Sequence, residues 1–193
     1  VKKCNLNEFD TARKGGINAI ALDDDVDLIG VKMTGGDHHI IMGTKDGKAI
    51  VYPETKVRSM GRTARGVRGI SLDAGDLVVG MDTATLEGEV LTITSTGYGK
   101  RTKLGEYRVT DRGGKGIINI KLKAAEKTGH VVGLKIVRPD QELILITSDG
   151  IVIRTDIDAI SGTGRNTQGV KVMKTGENDQ VVALAAVQKK TEE

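Results

Sequence analysis

One local pattern returns about every 50 residues along this chain of 193. Four segments carry it: Ala12-Arg13-Lys14-Gly15-Gly16-Ile17, Arg62-Thr63-Ala64-Arg65-Gly66-Val67, Arg112-Gly113-Gly114-Lys115-Gly116-Ile117 and Arg165-Asn166-Thr167-Gln168-Gly169-Val170. The glycines Gly16, Gly66, Gly116 and Gly169 lie 50, 50 and 53 residues apart, and Arg62, Arg112 and Arg165 each stand four residues ahead of one. A repeated unit of this size cannot bury its apolar face alone and must stack on its neighbours. The chain is therefore expected to form one array. An array that presents the same charge several times suits a long periodic partner better than a single active site.

Each unit has the same internal order. Behind the anchor glycine runs an alternating stretch, Ile17–Leu22, Val67–Leu72 or Ile117–Leu122, which predicts a strand with one buried face. A polar turn follows, then a more apolar strand (Leu28–Val31, Leu77–Gly80, Val131–Leu134, Val181–Leu184) whose composition predicts burial on both faces. Next comes a hairpin. Its outgoing strands are Ile40–Gly43, Val90–Ile93 and Leu143–Ile146, and its return strands are Ala49–Tyr52, Tyr98–Thr102 and Val152–Thr155. Gly47, Gly97 and Gly150 sit in the turns, where a positive φ is required. Four strands per unit with short turns predict an all-β, propeller-like array of about four units. Val1-Lys2-Lys3 looks like a return strand cut mid-blade. Residues 1–187 are expected to form a single repeat domain and 188–193 a short polar tail.

Composition narrows the function. Aromatic residues are 2% of the chain, so stacking on single-stranded bases is disfavoured. The net charge of +3 conceals segregation. Residues 56–71 hold five basic residues and no acid, and residues 100–123 hold eight basic residues against Glu106 and Asp111. Such stripes are expected of a phosphate-binding surface, with solvated basic loops as the plainer alternative. The lone Cys4 fits a reducing compartment. No apolar run reaches membrane-spanning length and no secretory signal opens the chain, which points to the cytoplasm.

The strings Gly61–Ile70, Gly97–Thr102, Arg112–Gly116 and Gly164–Val170 resemble the C-terminal domains of DNA gyrase A subunits, in order and over essentially the whole chain. The resemblance implies a β-pinwheel whose neighbouring blades exchange strands. It implies a basic rim that bends and wraps double-stranded DNA in support of ATP-dependent negative supercoiling. It also implies a non-catalytic piece of a type II topoisomerase, a bacterial and nucleoid-associated isomerase. The gyrase A N-terminal domain and the gyrase B subunit would be its partners, with no membrane. No cofactor is expected in this piece, since ATP and Mg2+ serve other domains. The equivalent domain of topoisomerase IV is the alternative. The family's box, Gln-Arg-Arg-Gly-Gly-Lys-Gly, is matched at five of seven positions by Thr110–Gly116, in the third unit and not the first.

The candidate DNA contacts are Arg62, Arg65, Arg68, Lys100, Arg101, Arg112, Lys115, Arg154 and Arg165. Arg62, Arg112 and Arg165 are equally well explained as staples between units. Arg65, Arg68, Lys100, Arg101 and Lys115 are stronger candidates, because they vary between units as a surface would. Gly16, Gly66, Gly116 and Gly169 are expected to serve backbone geometry. His38-His39 lacks companions for a metal site, Asp23–Asp25 lacks calcium-loop spacing, and no catalytic role falls to Tyr98.

Overall fold

The computed structural model describes residues 1–11 and 14–189; the side chains of residues 125 and 126, Arg13 of the first repeat and residues 190–193 of the expected tail lie outside the described residues. Among the described residues eleven strands follow in chain order: β1 (His39–Thr44), β2 (Lys48–Pro53), β3 (Val78–Ala84), β4 (Glu89–Thr94), β5 (Tyr98–Lys103), β6 (Ile117–Ile118), β7 (Val131–Val137), β8 (Gln141–Thr147), β9 (Val152–Asp156), β10 (Val170–Lys171) and β11 (Val181–Gln188). A short α-helix spans Ala125–Thr128, and single 3-10 turns follow β2, β5 and β9.

The three hairpins fall where the glycine turns place them. Gly47, Gly97 and Gly150 have φ of 84°, 80° and 81°. Gly97 is constrained twice, because a Cβ there would collide with the Met173 carbonyl oxygen.

The sheets are assembled across units. One sheet has the order β3-β1-β2-β6, the next β10-β5-β4-β7, and the third β11-β8-β9. Each hairpin thus takes an inner strand from the unit that follows and, in the two four-stranded sheets, an outer strand from the unit after that. Ala49 of β2 pairs with Ile117, and Gly99 of β5 pairs with Val170. β3 packs beside β7 and β7 beside β11, so these inner strands converge, and β2 and β5 lie towards the opposite, outer edge.

Apolar clusters alternate with the sheets. Ile41, Val51, Val90, Leu104, Tyr107 and Leu134 fill the space between the first and second sheets. Leu91, Ile93, Leu143, Leu145, Ile157 and Val181 fill the next. Burying apolar area between sheets, at roughly 25 cal/mol per Å2, is what couples the units.

Three expectations are corrected. The stretch Ile117–Leu122 gives only the two-residue β6, because Asn119 N and Ile120 N both donate to Gly47 O (2.9 and 3.2 Å). The chain wraps that turn and drops Ile120 into the core, 2% exposed. The predicted strands at 17–22, 28–31 and 67–72 are not formed as strands. By the register of the other units, residues 28–31 would pair with a hairpin ahead of β1, and the described residues form none there. Val67 finds a short partner in Val1, exchanging N–H···O bonds of 2.8 Å each way. Finally, β11 is not buried on both faces. Val182 is 56% exposed because β11 lines the last sheet and no further sheet among the described residues covers it.

Candidate nucleic-acid interface

The segments that follow the 3-10 turns after β2, β5 and β9 form three arms: the first crosses residues 1–3, the second β2 and the third β5. The arm of residues 107–118 runs beside β2 twice. It first bridges Val51 in parallel at Val109, with Thr110 N donating to Val51 O at 2.9 Å, and then returns antiparallel as β6. The reversal brings Gly116 against β2. Its φ is 73°, and a Cβ there would lie 2.6 Å from Ala49 O. Gly169 repeats this over β5, with φ 78° and an even closer approach to Gly99 O. Close approach and left-handed backbone together require glycine. Gly66 has the same geometry against Val1 O, whereas Gly16 has the positive φ (71°) but open space around it.

The arginine that recurs ahead of the glycine staples one arm to the next. Arg112 donates from Nε to Lys56 O at 3.0 Å and from Nη1 to Arg68 O at 3.0 Å. Arg165 repeats both bonds, to Glu106 O at 2.8 Å and Ile118 O at 2.9 Å. Arg62 donates to Asn18 O at 3.1 Å. Backbone bonds accompany the staples: Ser71 N donates to Gly114 O and Lys121 N to Thr167 O, each at 2.9 Å. The arms are thus linked into a chain around the edge.

Lys100 is not on the surface. It is 0% exposed, and its amine donates to Gly164 O (2.7 Å) and Arg165 O (2.6 Å), clasping the third arm from beneath. Burial pulls its pKa down to about 8, with Glu106 acting in the opposite sense. Lys2 clasps the first arm in the same way through Arg62 O. Arg101 is also occupied, pairing with Glu89 at 2.7 Å and Asp158 at 3.3 Å and donating to Ile160 O. Arg154 pairs with Glu142 across its own hairpin.

The exposed cations differ in their freedom. Arg65 meets Asp23 at 2.9 Å, and Lys115 meets Asp73 at 3.3 Å. Arg68 is exposed and forms no side-chain bond among the described residues. The same holds for Arg58, Arg108, Lys121 and Lys123, which the sequence shows only as part of the basic stretches 56–71 and 100–123. Arg58 and Arg108 each stand eight residues before an anchor glycine, and that spacing was the available signal. Arg108, Thr110, Gly114, Lys115 and Gly116 line a concave site of about 160 Å3 on the second arm.

Asp37, His38 and Glu54 bring ligand-type atoms within 4.8 Å of one another. Glu54 is 1% exposed, and its carboxylate accepts from Thr34 Oγ1 (2.7 Å), Gly36 N and His38 N (3.0 Å each). Burial alone would raise its pKa; those bonds and the Lys3 charge outweigh it and hold the group below its ordinary value. The cluster reads as the anchor of the loop ahead of β1.

A strand-sharing, propeller-like repeat with a cationic outer edge is the class that this fold and surface define. The chain belongs to the DNA gyrase C-terminal domain family, a family of β-propellers, whose pattern matches residues 1–34, 38–85, 88–138 and 141–188. It is 42% identical over 189 residues to the DNA gyrase A subunit of Staphylococcus epidermidis, covering 97% of this chain and 21% of that protein. It is 40% identical to the DNA gyrase A subunit of Staphylococcus aureus, covering 100% of this chain and 22% of that protein. The chain therefore spans about a fifth of the length of the curated relatives it matches. Among solved structures it resembles the C-terminal domain of DNA topoisomerase IV (TM-score 0.89, 25% identity, 97% of this chain and 58% of that one). It also resembles the DNA gyrase A C-terminal domain (TM-score 0.80, 28% identity, 90% of this chain and 58% of that one).

Proposed function

We propose that the chain binds duplex DNA along the arm-bearing edge and bends it, as the C-terminal wrapping region of gyrase A. The observation that carries this is the set of exposed cations without partners among the described residues: Arg58, Arg68 and Arg108 on the arms, and Lys121 and Lys123 just past the second arm. Lys and Arg bind duplex mainly by neutralising phosphates and releasing counterions. Charges spaced around a curve favour DNA that bends to meet them, against a bending cost of roughly 1–6 kcal/mol. Lys115 and Arg65 join the track once their acids let go. Arg62, Arg112, Arg165 and Lys100 act beneath it, holding the arms in place.

In the assembled enzyme this edge supports ATP-dependent negative supercoiling. Its partners are the gyrase B subunit together with the gyrase A N-terminal domain. ATP and Mg2+ bind elsewhere, and the setting is the bacterial cytoplasm. No helix among the described residues is long and apolar enough to cross a membrane. The topoisomerase IV reading keeps one specific support, the higher TM-score of that domain. The gyrase reading rests on 42% identity to a gyrase relative over nearly the whole chain.

The test is duplex binding across a salt series with two variants. Arg108→Gln is expected to weaken binding and flatten the slope of log affinity against log salt by about 0.9, with unfolding unchanged. Arg165→Gln is expected to lower unfolding stability by about 1–3 kcal/mol while leaving that slope alone at temperatures where the protein is folded. Affinity that does not fall with salt would falsify the phosphate reading. A shift in linking number on ligating a nicked circle with the chain bound separates bending with handedness from simple attachment.

A further inference from the structure

Two of the exposed arm cations are already paired, and they are paired in the same way. Arg65 Nη1 lies 2.9 Å from Asp23 Oδ1. Lys115 Nζ lies 3.3 Å from Asp73 Oδ1. The two pairs have the same separation of 42 residues, and Asp23 and Asp73 are themselves one repeat apart. Asp73 also bonds Lys48 Nζ through its other oxygen, so one carboxylate bridges two cations. Such pairing stands out beside Arg108, which lines the same concave site as Lys115 and has no partner among the described residues.

We infer that Asp23 and Asp73 are phosphate surrogates: each holds an arm cation in place while the edge is empty and releases it to a DNA phosphate. The inference rests on the reading that this edge binds duplex DNA. Lys48 and Lys115, bridged by the two oxygens of Asp73, are the donor pair that a phosphodiester's two free oxygens would meet. The pairs are exposed, with Asp73 46% and Lys115 75% accessible, so exchange needs no opening of the fold. Exposed ion pairs are weak, so a phosphate within a polyanion can displace the carboxylate. Bonds from Lys48 and then Lys115 hold the Asp73 pKa below its ordinary value, so the surrogate stays charged at neutral pH. The third arm lacks the device: Lys123 occupies the acid's position and Gln168 the cation's. The surrogates therefore reduce the affinity of the first two arms and leave the third as it is.

Duplex binding of the chain is measured across salt for the wild type, Asp73→Asn, Lys115→Gln, the double variant, and Asp149→Asn. Asp149 is an exposed acid in a hairpin turn away from the arms, and it controls for net charge. The expected result is that Asp73→Asn binds about two- to fivefold tighter with the wild-type salt slope, because the same phosphates are contacted. Lys115→Gln flattens the slope by about 0.9, and it removes most of the gain from Asp73→Asn in the double variant. A slope that steepens in Asp73→Asn, together with an indifferent Lys115→Gln, means the lysine is held permanently and overturns the inference. An equal gain from Asp149→Asn overturns it as well. Wild-type binding without salt dependence sinks the DNA reading itself; normal wild-type binding with an indifferent Asp73→Asn sinks only the surrogate.

Discussion

The arm over β2 and the arm over β5 share a skeleton and differ at the surface. Arg112 and Arg165 make the same two carbonyl bonds, and Gly116 and Gly169 make the same close approach. Outside, the second arm shows Arg108 and Lys115 where the third shows Ser161 and Gln168. Beneath, the second rests on Ile50 and the third on the buried Lys100. Charges that build the edge and charges that face a partner are therefore separable, although both are Arg or Lys within a few residues of one another. The arginine that repeats in all three arms belongs to the scaffold. A basic residue that changes from unit to unit is free to serve binding, but it can also be spent under the surface, as Lys100 is.

The comparison breaks most violently at the shared skeleton. Gly169→Val puts a β-branched residue at φ 78° with its Cβ driven into Gly99 O. It is expected to cost more than about 2 kcal/mol of unfolding free energy in urea titration, with loss of the third arm. An undiminished midpoint would show that the close approach is not required.

A smaller effect separates what lies beneath the arms. The Lys100 amine has a pKa of about 8 in the fold, against an ordinary value of 10.5 that it regains on unfolding. Between those values the unfolded chain holds more of this proton, so stability rises with pH through that window. Lys100→Met is expected to flatten the rise, and a stability–pH profile from pH 7 to 10.5 reads it. The second arm rests at that position on Ile50, which has no proton to lose.

The smallest effect concerns the tips. Ser161→Arg with Gln168→Lys gives the third arm the charges of the second. Unfolding is expected to be unchanged, and the salt slope of duplex binding steepens by up to about 0.9 for each new contact. An unaltered slope would mean that DNA does not reach this arm.

The hairpins were legible in the sequence because a turn glycine between apolar runs is a local signal, read within a few residues at Gly47, Gly97 and Gly150. The anchor strands were overdrawn because alternation in Ile117–Leu122 resembles a strand, whereas Ile120 is buried by wrapping around the distant turn at Gly47. Nothing local records that. The burial of Lys100 is hidden for a related reason. Its charge argued for solvent, but one repeat earlier its position is occupied by Ile50, 3% exposed. Aligning the units position by position would have exposed that site as interior. The pairing of Arg65 with Asp23 and of Lys115 with Asp73 was hidden by separation along the chain, although the repeat period relates both pairs.

Sharing strands across units also sets an order of events during synthesis. The first sheet begins at His39 and is not complete until Ile118 has emerged; the second begins at Glu89 and waits for Lys171. A hairpin leaving the ribosome therefore carries an open outer edge while two further units are translated, and open edges are where chains pair wrongly. The most recently made hairpin of a nascent array is its most vulnerable part, and a pause placed just after it would lengthen that exposure.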